Sequence, residues 1–384
     1  MRKEKKIQMQ NSKDVIQHIR EEEDDFYSDD DLFSISSWGA DLSFRELIDR
    51  YKDGELAKPE LQRKYVWDKT EASRFIDSLL LGLPVPSIFL AKTQDEKLLI
   101  VDGYQRIMTV HDFVRGIFTM DEKIFKLTKS ERINERWRGK AFAELSDIEQ
   151  RKIKNTTIHA IIFVQERPVA GNTSLFQVFE RINTSGRTLL PQEIRNCVSQ
   201  GKLNSLLFDL NKIQIWRDMY GLPTEDVRMR DIEFILRFFA LSSDSMRNER
   251  KEGISLKRFL NVFMESHRDP TDDELNTYSS RFRNAITFLH DAFGNAAFHN
   301  ISSTHPDRLV IKFNPTIFDS IMIATDFALS NNNAHLPDDA EASRRRLLVD
   351  ESYRAAITKE TMRVASIRTR IGKVTNMLFG LNYE

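Results

Sequence analysis

An α+β protein is what this sequence predicts: a mixed α/β segment over residues 34–200, then an all-helical segment over residues 201–384, behind a charged tail at residues 1–33. Three observations carry the prediction. Short apolar runs with strand character, such as residues 98–101 and the β-branched stretch 157–164, lie before residue 200. Between them, apolar residues recur every three or four positions, the spacing of one helix face. Beyond about Leu203 the strand signals vanish and helical spacing continues to the end.

Each element can be justified in turn. Four of the first six residues are basic and residues 21–31 hold eight acids; like charges at that density resist compaction, so the tail reads as a flexible or partner-dependent arm. Phe44, Leu47, Ile48 and Tyr51 fall at helical spacing, and residues 65–67 look like a strand. Phe75, Ile76, Leu79 and Leu80 share a helix face that Gly82 and Pro84 bring to an end. Residues 86–90 and 97–101 read as strands joined by a polar turn. A helix follows Asp102-Gly103, with Ile107, Val110, His111 and Val114 on one side and Gly116 at its end. Residues 118–127 suit a small hairpin. Ser146 and Glu149 form a capping box for a charged helix, and residues 157–164 follow as a buried strand. The helical half comprises residues 226–240, 255–265, 272–293, 315–329 and 338–378; the last is too long for one globular helix and should break near 349–352.

Composition limits the function classes. The net charge is −1, so any nucleic-acid site must be a local patch. Cys197, the sole cysteine, excludes an internal disulfide and a cysteine-rich metal site; within helical flanks it reads as a packed thiol, and a reducing compartment fits. The basic N-terminus lacks the apolar core of a signal peptide, and the longest apolar stretch is interrupted by Asp319 and Asp326. The expectation is a cytoplasmic protein with no membrane partner.

The chemistry concentrates at Asp102-Gly103-Tyr104-Gln105-Arg106, where an apolar strand hands over to a helix. A helix start leaves backbone N–H groups without partners, and its dipole favours anions. Gly103 permits a tight turn, and Arg106 projects a planar donor fork from the first helical turn, an arrangement that suits phosphate. Two further stretches stand out. Upstream is Leu61-Gln62-Arg63-Lys64-Tyr65-Val66-Trp67; downstream is Asn183-Thr184-Ser185-Gly186, leading into Gln192-Glu193-Ile194-Arg195-Asn196. Neither a Walker-type loop nor a G-x-G-x-x-G run is present.

These three stretches, in this order, resemble the N-terminal domain family of GmrSD-type restriction endonucleases, with its DGQQR signature, and the resemblance covers roughly residues 43–264. Tyr104 departs from it, standing where the family has a glutamine. The resemblance implies a ParB-like core in which the 102–106 turn and the 183–186 stretch meet around a nucleoside triphosphate. Gly103, Tyr104, Arg106, Asn183, Thr184 and Ser185 would then bind the nucleotide, with Arg63 closing the site. Asp102 would hold Mg²⁺ through water or orient the arginine, and Gln105 would position an attacking water. The implied activity is NTP binding with hydrolysis in a prokaryotic anti-phage or DNA-modification-dependent system. DNA and a separate nuclease or other defence subunit are its implied partners, and a homo-oligomer stays open. Two alternatives stand beside it. In one, Asp102 and Arg106 make a local salt bridge and the chain is a non-enzymatic DNA- or protein-binding adaptor with a decayed pocket. In the other, the same residues serve a ParB-like nuclease.

Two other features were weighed. Arg344, Arg345, Arg346, Arg363, Arg368 and Arg370, with Arg354, Lys359 and Lys373, face only Asp350, Glu351 and Glu360 and could form a basic stripe tracking a phosphate backbone. His299-Asn300 and His305-Pro306 read as surface loop, with no ligand-rich partner segment for a C-terminal HNH-type nuclease, so the chain is not expected to cut DNA by itself.

Overall fold

The structure, a computed structural model, describes residues 15–17, 34–57, 67–93, 96–167, 176, 178, 190–302, 304–305, 307–332 and 334–383. They fall into two compact units, one spanning Asp29–Leu189 with Asn196–Val198, the other built on Leu190–Arg195 and Ser199–Glu384. The fold is α+β. Most of the predicted tail and the predicted strand at 65–66 lie outside the described residues.

The first unit runs β1 (Ser34–Ser43), α1 (Phe44–Lys52), β2 (Leu56–Ala57), α2 (Lys69–Leu81), β3 (Ile88–Lys92), β4 (Leu98–Asp102), α3 (Tyr104–Arg115), β5 (Ile117–Phe118), β6 (Lys123–Ile124), α4 (Asp147–Asn155) and β7 (Thr157–Arg167). One sheet has the order β1-β7-β3-β4-β2, and β5 and β6 form a separate hairpin. Strand β7 lies antiparallel to β1 and parallel to β3, while β4 is antiparallel to β3 and parallel to β2. The helix starts are fixed locally. Ser43 accepts from the Glu46 N–H, and Asp68 with Glu71 and Ser146 with Glu149 close capping boxes. Apolar helix faces carrying Phe44, Leu47, Ile76, Leu79, Ile107, Val110 and Phe113 bury against Ile88, Leu90, Ile100, Ile158 and Ala160 of the sheet.

Strand β1 had no sequence signal. Its run, Ser-Ile-Ser-Ser-Trp-Gly-Ala-Asp-Leu-Ser, lacks apolar alternation; it is extended because β7 templates it along its full length.

The second unit takes in Pro191–Arg195 of α5 (Pro191–Val198), then α6 (Lys202–Asn211), α7 (Gln214–Tyr220), α8 (Arg230–Leu241), α9 (Leu256–Ser266) and α10 (Asp272–Phe293). It continues with β8 (His299–Ile301), β9 (Leu309–Phe313), α11 (Pro315–Ser330), α12 (Ala340–Val349), α13 (Glu351–Thr358) and α14 (Val364–Phe379). The antiparallel hairpin of β8 and β9 corrects the all-helical expectation. The strands are too short to show periodicity, and the hairpin is held by Phe313, whose ring meets those of Tyr220, Phe234, Phe298 and Phe318. The long 338–378 stretch breaks at Asp350, within the predicted window, and again at residues 359–363. Asp319 and Asp326, which interrupt the apolar run of α11, are each met by arginine: Arg237 Nη2 lies 2.6 Å from Asp319, and Arg281 Nη2 lies 2.7 Å from Asp326. Among the described residues no helix is long and apolar enough to cross a membrane.

Candidate functional site

Strand β4 ends at Asp102, and Gly103 turns the chain into α3 with φ of 102°, a left-handed conformation that other residues adopt with strain. A second constraint is steric: a Cβ at Gly103 would sit 2.2 Å from Ile88 Cγ2. The glycine is therefore required by the packing of β3 against the turn. Helix α3 begins without a side-chain cap.

Arg106 organises the turn. Its Nη1 donates to the carbonyls of Pro86 (2.7 Å) and Ser87 (3.0 Å), and its Nη2 donates to Asp102. The guanidinium thus joins the end of β4, the first turn of α3 and the loop leading into β3. It is mostly covered, 13% exposed, whereas the Asp102 side chain is 44% exposed. Gln105 Oε1 accepts from the Trp67 N–H at 3.4 Å, and the Trp67 ring packs on Phe75. Two of the three sequence stretches therefore meet, because Trp67 ends the upstream one.

Tyr104 faces the other way. It is 8% exposed in the core, and burial, with Tyr51 and Asp112 close by, pushes its phenol up to about 12. This corrects the assignment of Tyr104 as a ligand contact: its side chain fills the core. Arg63, Asn183, Thr184 and Ser185 lie outside the described residues. The carbonyls of Pro86 and Ser87 were not picked out from sequence, although Pro84 and Pro86, which keep that loop out of regular structure, were its visible signal.

The outward-facing chemistry is a carboxylate backed by a fixed guanidinium. Among the described residues there is no group of three or more His, Cys, Asp or Glu able to hold a metal ion.

Residues 44–199 match the model of the family described as GmrSD restriction endonuclease, N-terminal domain. This segment belongs to the GmrSD N-terminal domain family. The match takes in the 102–106 turn and ends just after α5; a search of curated proteins gave no match.

The C-terminal arginines are distributed differently from the predicted stripe. Arg344 and Arg370 are buried, which corrects their assignment to DNA. Arg344 pairs with Glu341, donates to the Ala296 carbonyl at 3.0 Å and lies over the Phe293 ring. Arg370 pairs with Asp319 and donates to the Thr361 carbonyl. Arg345, Arg346, Arg363 and Arg368 are at the surface but engaged: Arg345 with Glu341, Arg346 with Asp339, Arg363 with Glu252 and Glu360, and Arg368 with the carbonyls of Arg247 and Glu249. Most of these acids lie outside the sequence window that made the stretch look basic. His299 forms part of β8, and burial holds its imidazole below the ordinary value.

Proposed function

We propose that this chain is a nucleotide-sensing component of a restriction or anti-phage system, and that a nucleoside triphosphate with Mg²⁺ binds at the 102–106 turn. The observation that carries the reading is the division of labour around Arg106. Its bonds to the Pro86 and Ser87 carbonyls fix the guanidinium, while its third partner, Asp102, is a half-exposed carboxylate that a phosphate can replace. Asp102 would then be available to the water shell of the metal, and Gln105, whose Oε1 accepts from the Trp67 N–H, would orient a water. The magnesium ion would neutralise charge on the phosphates; the protein's part is to orient and to exclude.

Coupling would run through α5, which follows the 183–186 stretch in sequence. Glu193 pairs with Arg228, and the buried Arg195 pairs with Glu233 and donates to Asn261. Displacement of the chain before α5 would pull on these pairs and pass the nucleotide state to the helical half, and from there to DNA or a separate nuclease. The adaptor reading keeps one observation in its favour: all three of Arg106's partners belong to the protein itself, so the turn can also serve as scaffold.

Equilibrium binding of labelled NTPs with Mg²⁺, followed by phosphate-release assays, tests the proposal. Arg106→Lys keeps the charge and loses the fork, and is expected to weaken binding roughly tenfold or more, equivalent to about 1.4 kcal/mol. Unchanged binding in a folded Arg106→Lys protein would reject the assignment; no binding or phosphate release with any NTP would favour the adaptor.

A further inference from the structure

Strand β1 is a ten-residue edge strand, and among the described residues nothing hydrogen-bonds to its outer side. Edge strands are ordinarily guarded by lysine, proline, a mid-strand bulge or brevity. Here there is no Lys, Arg or Pro, and the register is regular from Ile35 to Ser43. The only charged side chain, Asp41, is taken up by His159 of the neighbouring strand at 2.8 Å. Two large apolar side chains on the strand, Ile35 and Trp38, are 40% and 44% exposed.

We infer that a second copy of the chain docks on this edge, β1 pairing antiparallel with β1 about a two-fold axis at Trp38. The hydrogen-bonding phase of the strand sets the register. Phe44 donates to the Thr156 carbonyl at the end of the β1–β7 ladder, so alternation turns the N–H and C=O groups of Ile35, Ser37, Gly39 and Asp41 outward. Two such edges match only when odd-numbered residues face one another. With the axis at Trp38, Ile35 faces Asp41 and Ser37 faces Gly39, while Trp38 meets Trp38 of the second copy in a non-hydrogen-bonded pair. In such pairs the Cα atoms approach to about 4.5 Å and aromatic side chains stabilise the contact. No like charges oppose each other in this register. Assembly stops at two copies, because the two-fold pairing uses the same β1 edge on both.

Sedimentation velocity on the full chain across the micromolar range should show concentration-dependent growth towards twice the 44.9 kDa chain mass. Ser37→Pro, which removes one outward N–H, and Trp38→Lys should each weaken association at least tenfold while leaving the circular dichroism melt close to wild type. Cysteine scanning reads the register independently, since the native Cys197 is buried. Trp38→Cys should form a disulfide-linked dimer under mild oxidation, and Ser36→Cys, which faces Ala40 of the second copy, should not. A chain that stays monomeric throughout with no Trp38→Cys cross-link, or a dimer that both edge variants leave intact, would overturn the inference.

Discussion

Arg106 and Asp102 form an ion pair of unequal members: the arginine is nearly covered and held by two carbonyls, while the carboxylate reaches solvent. That inequality gives a signed prediction. If phosphate competes with Asp102 for the guanidinium, Asp102→Asn should tighten binding of metal-free NTP several-fold, because a repelling charge has gone. The same variant should weaken binding in Mg²⁺, because the water-bridging carboxylate has gone. Titration calorimetry in EDTA and in Mg²⁺ separates the two effects, and a shift of the same sign in both would contradict the competition. At this scale the sequence drew attention to the 102–106 turn but not to where its side chains point: the direction of Tyr104 depends on the helix face turned to Tyr51 and Asp112, which no local pattern reveals.

At the scale of elements, β4, Gly103 and α3 act as one hinge-free corner seated on Ile88. Gly103→Ala would suffer both a left-handed φ and a Cβ contact of 2.2 Å with Ile88 Cγ2, and should cost about 2–4 kcal/mol in denaturant unfolding. Trimming Ile88 to Ala in the same chain should recover the steric part but not the dihedral part, so the two changes together should cost less than their sum. Strict additivity would mean that the backbone conformation alone requires the glycine. An element with its own cap was readable in advance: Ser146 announces α4, and a break at Asp350 fell within the expected window. Strand β1 and the hairpin of β8 and β9 were not, because each is specified by what lies beside it. A serine-rich run becomes a strand only along β7, and β9 is fixed by where the Phe313 ring is buried.

Across the whole molecule, each unit has its own apolar core, and the core of the second also holds paired charges. Asp319 is 1% exposed and faces both Arg237 and Arg370, so Asp319→Ala strands two buried guanidinium groups and should destabilise the chain by about 3–5 kcal/mol. Asp319→Asn should cost less, and a negligible effect of the alanine variant on the unfolding midpoint would contradict this role. The same interior explains why the predicted basic stripe was misleading: Arg370 looks like a surface cation in sequence because its carboxylate, Asp319, is distant, while Arg344, paired with nearby Glu341, is buried against the Ala296 carbonyl and the Phe293 ring. The family was legible from three ordered stretches, though the expected span of roughly 43–264 runs past the matched residues 44–199; the α+β class was legible from spacing, and the wiring of the helical half was not.

Hydrogen exchange on the intact protein, with and without a non-hydrolysable Mg·NTP, addresses the central claim most directly. Slower exchange concentrated at the backbone amides of residues 103–107 and 87–88 is the predicted result. Nucleotide binding with exchange at those amides unchanged, or protection confined to other parts of the chain, would contradict it.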